Sequence, residues 1–335
     1  NRIRNTEHSF SVQDVVFWEI VKREKLIDLY LNTRVISVNT ENNTIKSVQA
    51  IQLTTEKTFL FIGKYFIDDT GDGFIGYSAG AEFMRGREGK EKFSEPHAPI
   101  VSEKSTMGSS IMFTAKKCDN PVPFVKPDWA YNYSEEDLKF RDHSNISSGY
   151  WWIETGGMRD TITDAEEIRD ELLKILYGVW DHIKNTPGHN AENYCLDWIG
   201  VLPGKRESRR LKGEYVLTEN DILSDKKFFD AVAYGGWAMD VHTSGGIESS
   251  NDAPTTYYET NGIYQIPYRC LYSKNINNLF LAGRAISVSH LAFSSTRVMA
   301  TCAVVGQAVG EAAGIALKYG ITPREVCVHI EELQQ

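Results

Sequence analysis

Apolar positions recur along this chain in two rhythms, and each rhythm predicts a different element. Val15, Val16, Trp18, Ile20 and Leu26 supply the apolar side of a helix over Phe10–Leu31. Arg34–Asn39, Thr44–Leu53 and Lys57–Ile62 are rich in β-branched and aromatic residues and predict strands, with Asn42-Asn43 turning between the first two. A short strand, Tyr65–Asp68, then runs into Thr70-Gly71-Asp72-Gly73. The clearest helix covers Ala165–Lys184, where Ile168, Leu172, Ile175, Val179 and Ile183 form one stripe at helical spacing. Thr163 or Asp164 caps it, Glu166 and Glu167 suit its positive end, and Asn185, Pro187 and Gly188 stop it. Further on, the pattern predicts a strand over Gly213–Leu217, a helical turn capped by Thr218, and an apolar strand over Asn278–Ala282. A Gly283-Arg284 turn and a long helix from near Ser295 close the chain. Residues 90–163 are irregular and rich in aromatics such as Trp129, Tyr131, Tyr150, Trp151 and Trp152, the pattern of an inserted cap. No internal repeat or low-complexity run is visible.

The most apolar stretch, Val298–Leu317, contains Gln307 and Glu311 between Arg297 and Lys318, so it reads as a buried helix and not a membrane span. Gly306, Gly310 and Gly314 share one face of it and predict close packing against a sheet. The chain has 335 residues, room for one large or two moderate domains, and a net charge of -9. That balance argues against nucleic acid or an anionic membrane as the main partner. Its five cysteines lie far apart, with no C-x-x-C pair, and are expected as buried free thiols. No His/Asp/Glu run has metal-ligand spacing, so no metal site is expected. No G-x-S-x-G elbow supports hydrolase chemistry.

Gly71-Asp72-Gly73-Phe74-Ile75-Gly76 matches G-x-G-x-x-G literally. The charged stretch Arg85–Pro96 that follows holds no buried strand, and Asp72 adds negative charge where a pyrophosphate would lie, so this is not read as the primary dinucleotide turn. In context, Tyr65–Gly73 resembles the strand-end turn of flavoproteins that passes close to bound FAD, with Asp69 where alanine is common. Asn278–Ala285, followed by Arg297–Gly310, resembles the C-terminal flavin motif of the same proteins. With Gly80–Glu88, Leu202–Arg210, Gly213–Thr218, Tyr234–His242 and Ile266–Arg269, these segments resemble the bacterial FAD-dependent oxidoreductases sometimes labelled xanthan-lyase-related.

That resemblance implies an α/β fold: an FAD domain of the two-dinucleotide-binding-domain flavoprotein type with an inserted α+β substrate domain. Residues 1–85 and 262–335 would form the FAD domain and 86–261 the substrate domain. It implies FAD as cofactor, with Thr70, Gly71, Asp72, Gly73, Gly283, Arg284, Ser295, Arg297 and Val298 around it. A helix N-terminus aimed at the flavin pyrimidine favours the negative charge of the reduced ring. Family members open with a strand, a G-x-G-x-x-G turn and a helix. The chain starts at Asn1-Arg2-Ile3-Arg4, which reads as downstream of that unit, so the sheet is expected to lack a central strand and to expose unpaired edges.

Four residues are candidates for catalysis. His242, in Asp240-x-His242, and His290 could serve as general bases, or His242 could hold a loop. Arg206 and Arg209, with Arg210, could bind an acidic substrate or the reduced flavin, or could be ion-paired at the surface; on a strand, alternate arginines face opposite ways. Trp151-Trp152 could stack on a sugar or simply pack. The implied reaction is hydride transfer between flavin N5 and a small-molecule or carbohydrate substrate. The alternatives are a polysaccharide lyase using His242 with an arginine, or a non-catalytic glycan-binding protein. Compartment, cytoplasmic or periplasmic, and oligomeric state stay open.

Overall fold

In the computed structural model, which describes residues 3–6 and 9–335, helix α1 (Phe10–Arg23) buries none of its residues. It ends eight residues before the expected Leu31, because Tyr30 turns back to pack edge-on against Phe59 and Phe61, at ring distances of 5.1 and 5.0 Å. Strands β1 (Thr33–Glu41), β2 (Thr44–Gln52) and β3 (Lys57–Ile62) then form an antiparallel meander. Asn42 and Asn43 turn it with φ of 49° and 57°, in the left-handed region that asparagine tolerates. Strand β4 (Phe66–Asp68) ends in the glycine turn, and a five-residue helix, α2 (Phe74–Ser78), follows.

The middle of the chain is built on β5 (Phe113–Lys117), helix α3 (Ala165–Asn185) and β6 (Tyr194–Ile199), with β5 and β6 antiparallel. The predicted stripe of α3 is buried in full and packs with Ile111, Phe113, Trp152 and Trp180 in one core. Asp164 is the N-cap residue, but its side chain makes no cap; its carboxylate accepts instead from the Asp160 N–H at 3.1 Å and the Thr163 hydroxyl at 3.2 Å. The β5–β6 pairing brings Cys118 Sγ and Cys195 Sγ to 3.2 Å, and of the five thiols only that of Cys270 is fully buried.

The expected strand over Gly213–Leu217 does not form. Tyr215 N–H donates to the Arg269 carbonyl and Leu217 N–H to the Ser287 carbonyl, so two separate segments flank it and no ladder runs along either. Thr218 does cap a short helix, sharing a reciprocal capping box with Asp221. Two antiparallel pairs follow: β7 (Ala231–Gly235) with β10 (Tyr264–Pro267), and β8 (Met239–His242) with β9 (Thr255–Tyr258). Strand β11 (Leu279–Leu281) lies parallel to β4, in register Phe66 to Leu279 and Asp68 to Leu281. Among the described residues β4 has no other strand beside it.

The long C-terminal helix is two helices, α4 (His290–Thr296) and α5 (Met299–Tyr319). Val298 breaks them apart with extended angles, φ -70° and ψ 147°. The break follows from what the end of α4 is tied to: Ser295 donates to the Trp237 carbonyl and Arg297 to Asp240 of β8. Val305, Ala308, Val309, Ala312 and Ala316 bury one face of α5 in a second core with Leu211, Leu217, Ile266, Leu279 and Phe280. By length and composition α5 could cross a membrane. Its glycine face is not packed against a sheet, contrary to expectation: a Cβ at Gly306, Gly310 or Gly314 would meet nothing within 4 Å.

Candidate functional site

Asp68, buried at the end of β4, organises the glycine turn. Its carboxylate accepts from the Thr70 N–H at 3.0 Å, the Thr70 hydroxyl at 2.7 Å and the Gly76 N–H at 2.8 Å. Thr70 Oγ1 then accepts the Phe74 N–H at 2.8 Å, a free donor at the start of α2. Gly71 and Gly73 have φ of 77° and 62°, which a side chain would strain. The Gly283 turn stands next to this one, because β4 and β11 are paired. A Cβ at Gly283, where φ is 60°, would collide with Asp69 Oδ1.

Arg284 bridges the two turns. It donates through Nε to the Gly71 carbonyl at 2.8 Å and through a terminal nitrogen to Asp72 Oδ1 at 2.8 Å. Lys205 and Ser208 reach the same carboxylate at 2.8 and 2.6 Å. Burial opposes ionisation of Asp72, but the Lys205, Ser208 and Arg284 contacts prevail and hold its carboxyl below the usual range. Its negative charge, which counted against an anionic ligand here, is therefore compensated. Arg209 lies over the Tyr77 ring at 3.7 Å, with a long contact to the Asp72 carbonyl at 3.4 Å.

The three arginines of the basic loop go to three places. Arg209 faces the turn just described. Arg206 donates to Ser110 Oγ at 2.7 Å and pairs with Glu154 at 3.2 Å. Arg210 is fully buried, and forks onto both oxygens of Glu88 at 3.0 Å. Trp152 is core, with its indole N–H on the Asp142 carbonyl, while Trp151 meets the His242 ring edge-on at 5.5 Å.

The two candidate histidines line one cavity of about 290 Å³ with Arg87, His97, Thr256 and Tyr258. Their surroundings differ. His242 Nδ1 meets Glu154 Oε2 at 2.6 Å and Nε2 meets Asp240 Oδ2 at 3.1 Å. Both ring nitrogens are therefore engaged by carboxylates, and neither is left open to a substrate. Burial opposes the charge on Asp240, but His242, Thr255 and Arg297 prevail and bring its carboxyl down to about 2. Arg297, Asp240, His242, Glu154 and Arg206 form one chain in which each basic group stands beside a carboxylate.

His290 is held from one side only. Nδ1 faces both oxygens of Glu207 at 3.0 and 2.9 Å, and Nε2, though buried, has no hydrogen-bond partner. Glu207 is itself buried among His290, Arg210 and the Met107 N–H; burial works against its ionisation, but these partners hold its carboxyl below the usual range. In the neutral ring the carboxylate selects the Nδ1–H tautomer, which puts the lone pair on Nε2. Glu207, Arg87 and His97 were not among the sequence candidates. Glu207 sits inside a run of basic residues, and the other two come from a stretch without periodicity.

Ser295 is buried and engaged by Trp237 and Tyr264, so its hydroxyl faces no open space. Beyond Arg297 and Val298, the first turn of α5 opens outward, with Met299 82% exposed. The family described as FAD dependent oxidoreductase matches residues 2–335 of the chain. No curated protein and no solved structure matches it.

Proposed function

Because this chain belongs to the FAD dependent oxidoreductases, we propose that it oxidises a small hydroxylated molecule, a polyol or sugar, or runs that reaction in reverse. The observation that carries the reading is His290, which lines a 290 Å³ cavity and whose buried Nε2 has no hydrogen-bond partner. The residues present fit the flavin end of the cofactor. Two adjacent turns with left-handed glycines allow close backbone approach, Asp72 is neutralised, and the start of α5 offers free N–H groups. Thr70 to Gly73, Gly283, Arg284 and the first turn of α5 are the groups that would hold it. When bound, the flavin supplies a hydride acceptor or donor at N5.

In this reading His290 Nε2 takes the proton of the substrate hydroxyl, and Glu207 holds the ring and stabilises the imidazolium that forms. Arg87, His97 and Tyr258 face the same cavity and offer donors to further hydroxyls. His242 keeps its place in the charge chain and positions Trp151 and Glu154, a positioning role and not that of a base. That assignment leaves the lyase reading without its base. The segments Leu202–Arg210 and Tyr234–His242 support the xanthan-lyase-related subgroup, and the core around α3 supports an inserted substrate lobe.

Turnover of a flavin-loaded enzyme tests this. His290→Gln should lower kcat about 10²- to 10⁴-fold with flavin content unchanged, and Glu207→Gln should shift the pH profile of kcat. A His290→Gln enzyme with wild-type kcat would overturn the assignment.

A further inference from the structure

Three of the eight histidines gather away from the cavity just described, with one carboxylate. Glu135 and His143 come from the loop between β5 and α3, His182 from the last turn of α3, and His189 from the loop after it. Their ligand atoms all lie within 4.8 Å of one another. Glu135 Oε1 is 3.2 Å from His182 Nε2 and 3.0 Å from His189 Nε2, and those two nitrogens are 3.2 Å apart. The other oxygen, Oε2, is 3.5 Å from His143 Nε2. Ligand atoms about 2.0–2.1 Å from a tetrahedral zinc ion are separated by about 3.3 Å. The triangle of atoms already has that size.

The protons make the case stronger. His143 Nδ1 is bonded to the Arg141 carbonyl at 2.6 Å and His182 Nδ1 to the Tyr133 carbonyl at 3.1 Å. A carbonyl accepts only, so both rings carry their proton on Nδ1, and the neutral ring turns the Nε2 lone pair inward. Two lone pairs then converge on a carboxylate and on a third imidazole. A proton can bridge one such pair, whereas a divalent cation satisfies all four groups at once. The negative end of α3 adds to the attraction. The frame is prepared as well. Lys184 Nζ donates to the carbonyls of Ala191, Glu192 and Tyr194 at 2.7, 2.9 and 2.8 Å, which folds the loop bearing His189 back over His182.

We propose that Glu135, His143, His182 and His189 bind one divalent transition-metal ion of the zinc class, which staples the loop at 133–143 to the C-terminal end of α3. Imidazole nitrogens with one carboxylate suit zinc, and exclude calcium or magnesium, which take oxygen shells. Sequence spacing gave no hint of it, because the ligands come from three separate segments.

Metal content of the full chain tests the proposal without reference to the flavin. After removal of metal with EDTA and reloading with Zn²⁺, the protein should retain about one zinc per chain through gel filtration. Cobalt loading should give the visible spectrum of a tetrahedral site. His189→Ala should weaken zinc binding about a hundredfold and abolish the rise in Tm that zinc produces. Glu135→Gln, whose carboxylate is largely exposed, keeps the fold and should also weaken binding, so it carries the test if His189→Ala does not fold. A wild-type chain that retains no zinc, or a Glu135→Gln chain with unchanged affinity, would overturn the proposal.

Discussion

Two histidines that look alike in sequence are separated by what their second nitrogen meets. His242 has a carboxylate at each end, while His290 has Glu207 at one end and no hydrogen-bond partner at the other. A nitrogen that no other group engages is what a general base requires. His290 was visible as a candidate because its loop sits between a recognisable turn and a helix. Glu207 was not, since an acid inside Lys205–Arg210 reads as one more surface charge, and only the fold turns it inward. Another buried acid, Glu95, lends itself to a pH experiment. Burial pushes its carboxyl up to about 7, helped by the Glu219 and Glu88 carboxylates and opposed by Ser289 and the Glu219 N–H. A raised pKa in the folded state means that the fold holds this proton more tightly than the unfolded chain does. The corresponding stability is complete below about pH 4.5 and is lost as pH rises through about 7, a change on the order of 3 kcal/mol. Glu95→Gln should therefore remove most of the decline in urea midpoint between about pH 5 and 8. An equal decline in the variant would show that the titration lies elsewhere.

At the scale of elements, regular periodicity carried over and local tethers did not. The stripe of α3 and the three strands of the meander formed where their apolar pattern put them. Residues 24–31 left the helix because Tyr30 found two aromatic partners, and Gly213–Leu217 stayed irregular because its neighbours belong to different segments. The break at Val298 was hidden because its cause is three tertiary bonds, those of Ser295 and Arg297. The paired turns after β4 and β11 give a sharper prediction. Gly283→Ala meets both a left-handed φ and the Asp69 carboxylate, and should cost at least about 1–2 kcal/mol of stability in denaturant unfolding. Adding Asp69→Ala should recover part of that loss. No recovery would mean that backbone strain alone sets it.

At the scale of the whole molecule, the described residues form two apolar cores. One collects β4, β11, α5 and the segments around Leu211 and Ile266, next to the paired glycine turns; the other surrounds α3 and β5. The core around α3 was legible, since the helix's apolar stripe marked a buried face. The share of residues 211–239 in the first core was not, because chain order hides it. Leu172 is fully buried in the α3 core, and Leu172→Ala should lower stability by about 2–5 kcal/mol. In scanning calorimetry the variant should split one endotherm into two, with only the weaker moved down; a single peak displaced as a whole would mean that the cores melt together. Separate cores also divide the effects of ligands between them. If the glycine turns take a dinucleotide and the end of α3 a metal, the first should raise the melting temperature of one core and the second that of the other, so each ligand would become a private thermometer for the core it touches.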